Sequence, residues 1–204
     1  MNKTAKLALP AQTIDSTEGT GKALLQTAKA QLGFVPNMYA NMVNSPGLLE
    51  TYLLGYKRFR EESGFNPVEQ EVVLLTISRF HACTYCMAAH SMIADKMSKV
   101  PAEVLEALRT GGPIPDLKLA ALSKLTRIMV EQRGNPTTEQ LNDFKVAGYS
   151  ERHVLEIILA IAVKTLSNYS NHVFHSEVDM PFSKYAWETS GTNLGVTKAG
   201  ANDA

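Results

Sequence analysis

Two thiols, an imidazole and a carboxylate fall in one stretch of twenty residues, EVVLLTISRFHACTYCMAAH, from Glu71 to His90. Cys83 and Cys86 form a C-x-x-C and are the only cysteines of the chain. His90 follows Cys86 by four residues, and Glu71 precedes Cys83 by twelve. With these parts a thiolate can be made, oxidised and re-formed. They read as a thiol-based oxidoreductase acting on peroxides or disulfides.

On one helix, Cys83, Cys86 and His90 stand at i, i+3 and i+7 and share a face. His90 is then near enough to Cys86 to take its proton directly or through a water. Glu71 is not, because about 28 Å of axial rise separates it from His90 in a straight helix. For the carboxylate to orient the imidazole, the helix must break near His81 and Ala82 and fold back. The break leaves Cys83 in the first turn of a second helix, where free N–H groups and the helix dipole favour a thiolate. Glu71 then holds His90 in its proton-accepting tautomer, in the manner of a Cys–His–carboxylate triad.

Other readings of the same residues stand beside this one. Cys83, Cys86, His90 and Glu71 can supply four ligands to zinc, although zinc usually draws two pairs from separate elements and no second C-x-x-C or H-x-x-x-H exists here. Inert burial is the commonest fate of cysteine. His81, at the expected helix boundary, reads as a local cap and is left outside the site. Tyr52 and Tyr56 read as core residues, with a substrate-lining role as the alternative.

The pattern E-x(11)-C-x-x-C-x-x-x-H, with VVLLTIS inside it and MAAH at its end, resembles the AhpD-like, carboxymuconolactone decarboxylase family. The segment LGFVPNMYANMVNSPGLLETYL, Leu32 to Leu53, is similar to the leader of its peroxidase-related members. The resemblance spans roughly Gly33 to Pro181. It implies an all-α, AhpD-like helical bundle assembled as trimers or hexamers, and an alkylhydroperoxidase activity. It also implies that Cys86 is oxidised to sulfenic acid, that Cys83 donates a proton and then resolves the sulfenate, and that His90 and Glu71 form the proton relay. No bound cofactor or metal is implied; electrons come from an external dithiol or lipoyl group, with a peroxiredoxin as a further partner. The chain departs from AhpD at Tyr85, where AhpD has a second histidine inside its C-x-x-C. The alternative within the resemblance is a cofactor-free lyase or isomerase acting on a lactone acid, like the decarboxylase branch, which does not depend on a C-x-x-C.

The 204 residues suit one domain with tails. Residues 1–15 read as an N-terminal arm, 16–188 as the helical domain and 189–204 as a flexible polar tail. Twenty acidic and twenty basic residues balance, which argues against nucleic acid or an anionic membrane surface as partner. No signal peptide or membrane span is legible, so the cytoplasm is the expected location. Helices are expected over 16–32 (stopped by Gly33), after Pro36, after Ser45-Pro46, and after Asn66-Pro67. Further helices are expected after Val100-Pro101 and Pro115-Asp116, at Thr137, and from Ser150 along ERHVLEIILAIAVKTLSNYSNHVFHSE.

A shift of 85 residues places Glu71 on Glu156, Cys83 on Asn168, Cys86 on Asn171, His90 on His175, and VVLLTIS on IILAIAV. This predicts a duplicated helical hairpin that kept its scaffold and lost its thiols, with Asn168, Asn171 and His175 bonding polar groups in the core.

Overall fold

The computed structural model describes residues 4–188, and among them there is no strand. The helices are α1 (Gly19–Leu32), α2 (Asn37–Met42), α3 (Pro46–Glu62), α4 (Pro67–Phe80), α5 (Thr84–Lys96), α6 (Ala102–Thr110), α7 (Leu117–Glu131), α8 (Thr138–Val146) and α9 (Glu151–Phe174), followed by a 3₁₀ segment, Met180–Tyr185. The all-α class read from the sequence therefore holds. No helix among these residues is long and apolar enough to cross a membrane.

The punctuation is local chemistry. Asn66 and Glu69 close a capping box at the start of α4, and Thr137 and Gln140 close one at α8. Gly33 and Gly111 end α1 and α6 in the left-handed conformation that a Cβ disfavours. Helix α1 begins at Gly19 rather than Ser16 because Thr13 and Ser16 exchange side-chain to backbone hydrogen bonds, 2.8 and 3.1 Å, that fold this segment as a turn. The arm residues ahead of it are tied down by Leu7 N to Val173 O and Gln12 N to Ala40 O. The proposed tail, 189–204, lies outside the described residues.

Helix α4 is the axis of the fold. Val72, Val73, Leu74, Leu75 and Ile77 are fully buried, and α4 packs against α5, α6, α7 and α9. A helix apolar on every side belongs in an interior, and each such side chain contributes about 1.5–3 kcal/mol on burial. A second apolar cluster, from Leu25 on α1, Met38 and Met42 on α2, Leu49 and Tyr52 on α3 and Val163 on α9, surrounds Cys83 and Cys86.

The expected break between α4 and α5 is present. Ala82 takes φ 56°, a left-handed conformation unusual for alanine. Cys83 N–H donates to Ser78 O at 3.0 Å and Ala82 N–H to Arg79 O at 2.9 Å. These two bonds close α4 as a Schellman motif with Ala82 at the position glycine usually fills. Cys83 is consequently the N-cap residue of α5, and Cys86 sits in its first turn.

The duplicated hairpin is a correction. Residues equivalent to α4 and to the first half of α5 lie in one unbroken helix, α9, of 24 residues. Ser167, which falls where Ala82 does, bonds its hydroxyl to Val163 O and Lys164 O, and the helix runs on. It ends at His175 instead, with φ 50° and a Ser176 N–H to Asn171 O bond. His175 is exposed at a helix end and bonds no core group, although Asn168 and Asn171 are buried as expected.

Candidate active site

The break folds α5 back along α4 and brings Glu71 to His90. His90 Nδ1 lies 3.0 Å from Glu71 Oε2, with the imidazole nearly buried and the carboxylate wholly so. The other Glu71 oxygen pairs with Arg60 Nη2 from α3, whose guanidinium also donates to Tyr56 Oη at 2.7 Å. Burial alone would raise the Glu71 carboxyl, but His90 and Arg60 outweigh it and hold it below the ordinary value of 4.5. An ionised carboxylate only accepts, so His90 Nδ1 carries the proton and Nε2 is left as an acceptor. Burial, and then the charge of Lys164, lower His90 below 6.5 against the pull of Glu71. The imidazole is therefore neutral at neutral pH.

The two sulfurs face one side chain of α9. Asn171 Nδ2 lies 3.4 Å from Cys86 Sγ and 3.8 Å from Cys83 Sγ. Both thiols are free and buried. Burial raises Cys86, yet the hydrogen bond from Cys83 and the positive charge of Lys164 hold it well below an ordinary thiol. Cys83 is held well above it, first by that bond to Cys86 and then by burial. Of the two, Cys86 is therefore the more readily ionised thiol and Cys83 the one that holds its proton more tightly. Among the described residues no hydrogen bond joins Cys86 to His90, so the direct proton contact expected from their i, i+4 spacing is not made. No three His, Cys, Asp or Glu side chains among the described residues gather within reach of one metal ion.

Cys86 and His90 open onto a cavity of about 790 Å³. Its walls are mainly aromatic and aliphatic, with Tyr39, Tyr52 and Tyr56 on one side and Phe34 and Phe182 on another. Tyr52 and Tyr56 are therefore both core and cavity wall. Burial raises the phenols of Tyr39, Tyr52 and Tyr56, which stay neutral. Tyr85, inside the C-x-x-C, bonds Asp179 and so ties α5 to the segment leading into the 3₁₀ turn. His81 caps α4 and meets Asn168 Oδ1 at 3.0 Å.

The sequence brought forward Glu71, Cys83, Cys86 and His90, and the fold joins them as two pairs, Glu71 with His90 and Cys83 with Cys86, with Cys86 and His90 on the wall of one cavity. It missed Arg60 and Lys164. Lys164 had a legible signal, a cation set within the apolar run IILAIAV-K-TLS. Arg60 had none, being one of several charged residues at the end of α3.

The fold is an AhpD-like helical bundle. A sequence model of the Carboxymuconolactone decarboxylase family matches residues 46–125, from α3 to the middle of α7. The AhpD core of an uncharacterized peroxidase-related protein from Ralstonia eutropha JMP134 superposes with a TM-score of 0.75 at 16% identity, covering 85% of this chain and 93% of that one. A peroxidase-related protein from Silicibacter sp. TM1040 gives 0.72 at 17% identity, over 89% and 95%. The debrominase Bmp8, as its C82A variant in complex with 2,3,4-tribromopyrrole, gives 0.66 at 17% identity, over 90% and 97%. No curated protein matches the sequence significantly. The resemblance to the AhpD-like, carboxymuconolactone decarboxylase family therefore holds at two levels, in the sequence of residues 46–125 and in the fold.

Proposed function

We propose that the chain is a thiol-dependent peroxidase that reduces bulky, apolar hydroperoxides. The observation that carries this reading is the setting of Cys86. Its sulfur lies against the Asn171 amide, beside a thiol that keeps its proton, at the wall of a large apolar cavity. A hydroperoxide group fills little more than the space of a water or two, about 30 Å³ each in the liquid. A cavity of about 790 Å³ is sized for the organic part of such a molecule.

In this reading the Cys86 sulfur attacks the terminal peroxide oxygen. The O–O bond breaks, an S–O bond forms, and the sulfur is oxidised by two electrons to sulfenic acid. The departing alkoxide takes the proton of Cys83 and leaves as an alcohol. Cys83, now a thiolate, attacks Cys86 and closes the disulfide. The displaced hydroxide takes a proton that His90, held by Glu71, relays from water. An external dithiol or lipoyl group, or a donor linked to a peroxiredoxin, returns two electrons and two protons. No resident cofactor or metal enters the sequence.

One observation favours a second substrate for the same thiols. The aromatic walls suit a halogenated aromatic ring, the kind of ligand held by the debrominase among the structural neighbours. Attack on halogen, with proton transfer to the ring carbon and halide release on disulfide closure, also oxidises the pair by two electrons. The lyase-like alternative needs no thiol pair.

Turnover of cumene hydroperoxide with dihydrolipoamide as donor tests the proposal. Loss of turnover in both Cys83→Ser and Cys86→Ser supports it, and unchanged turnover in both rejects it. Bromide release from a brominated pyrrole without peroxide turnover selects the second substrate. The homo-oligomer belongs to the same reading, because α9 exposes an apolar stripe of Leu155, Ile158, Tyr169 and Val173. Light scattering that returns a monomer overturns that part.

A further inference from the structure

Lys164 is fully buried, and its Nζ has no hydrogen-bond partner among the described residues. Buried cations are ordinarily paired, since an unpaired one carries a large desolvation cost. The two carboxylate oxygens of Glu71 are already taken by Arg60 and His90. Lys164 lies on the stripe of α9 that faces the thiols. Ser167 Oγ, three residues on, is 3.9 Å from Cys86 Sγ, and Asn171 Nδ2, seven residues on, is 3.4 Å from it. The lysine also lines the cavity that Cys86 and His90 line.

We propose that the Lys164 ammonium is the resting counter-ion of the Cys86 thiolate, so the charge pair of the reduced protein spans α5 and α9. The pair within α5, thiolate and imidazolium, does not form in this account. His90 stays neutral, bound to Glu71, and free to move protons during turnover. The proposal rests on Cys86 being the reactive thiolate. The other titratable groups facing Cys86 are Cys83, Tyr85 and His90 from its own segment, His81 from the end of α4, Tyr52 and Tyr56 from α3 and Tyr39 from α2. Arg60, the other cation on the cavity wall, is engaged by Glu71 and Tyr56. The phenols are neutral and Cys83 keeps its proton, so with both histidines neutral Lys164 is the cation left to answer Cys86.

The test is the pH profile of Cys86 alkylation by iodoacetamide, with no peroxide present, so it stands or fails apart from peroxide turnover. Lys164→Met is expected to move the midpoint up by one to three pH units, the effect of an opposite charge within about 4–6 Å. At a pH below both midpoints that is an about ten- to thousandfold loss of thiolate. Lys164→Arg is expected to restore most of the shift, and His90→Gln to move the midpoint less than Lys164→Met does. A midpoint that follows His90 and ignores Lys164 overturns the proposal. So does one that follows neither. Should Lys164→Met not fold, the wild-type protein decides. The ¹⁵N resonance of Lys164 Nζ is expected to shift with the Cys86 midpoint, and to lose that step once Cys86 is alkylated. A resonance that does not respond to Cys86 overturns the pairing.

Discussion

Glu71 to His90 and Glu156 to His175 share a glutamate and a histidine at the same spacing around similar apolar runs, with asparagines in the second where the first has thiols, and they end as different objects. The first is two helices joined at Ala82. The second is one helix that continues through Ser167 and stops at His175. Both stops are Schellman motifs with a non-glycine residue in the left-handed position, eight residues later in the second segment. Where the chain turns early, the acid returns to the imidazole. Where it runs on, Glu156 meets only Arg152, one turn away at 3.7 Å, and His175 is left at an exposed end. The position of one turn, more than the residues either side of it, separates a candidate site from a supporting wall.

The contrast can be broken most severely at sulfur. In the proposed reaction Cys86→Ser removes the nucleophile and is expected to bring peroxide turnover to background, a loss of about a thousandfold or more. Asn171→Ala, at the equivalent place on α9, removes one hydrogen bond to a charged group, typically about 1.5–3 kcal/mol, and is expected to slow turnover by about tenfold or more. Steady-state rates of the two variants check this.

The two carboxylates come next. Arg60→Ala leaves the buried Glu71 charge without a cation, held only by the neutral His90, and is expected to cost about 3–5 kcal/mol of stability. Glu156→Ala breaks only a long helix-surface pair and is expected to cost less than about 0.5 kcal/mol. Urea denaturation of both variants measures the difference, and equal losses would erase the distinction.

The turn itself is a smaller lever. Ala82→Val puts a β-branched side chain at φ 56° and is expected to cost about 2 kcal/mol while slowing Cys86 alkylation. Ala82→Gly is expected to be neutral or to stabilise by up to about 1 kcal/mol. Ser167→Ala, within a continuous helix, is expected to change stability by less than about 1 kcal/mol.

The smallest expected effect is in pH. His90 is held below 6.5 in the fold, so the unfolded chain binds more protons as pH falls through that value. Its contribution to stability is complete above 6.5 and is lost as pH drops below it. Glu71 is held below 4.5, so its contribution is complete above 4.5 and is lost as pH falls further. Denaturation midpoints followed from pH 8 to 4 are expected to show two declines, the first missing in His90→Gln.

The helical class was legible because proline, glycine and capping residues punctuate the chain at nearly every boundary. The Glu71–His90 and Cys83–Cys86 pairs were legible because sulfur, imidazole and carboxylate at fixed spacing have few other uses. The break was inferred from chemistry alone, since Ala82 is a strong helix former and nothing local marks it as a stop. The same argument misled in the second segment, where matching residues carry no obligation to meet and α9 had no reason to bend. Arg60 was invisible because its role depends on how α3 crosses α4, a tertiary fact that spacing does not encode.

The two-sided hold on Glu71 has a consequence for traffic. One carboxylate fastens α3 through Arg60 and α5 through His90, so parting those helices would strand a charge in a dry interior. That flank works as a hinge-less frame. Elsewhere on the cavity wall stand Leu32, Phe34, Met97 and Phe182, apolar side chains whose dispersion contacts yield at little cost. Leu32 and Met97 already stand half or more in water. Solutes are expected to enter and leave the cavity by this greasy doorway while the charged frame stays shut.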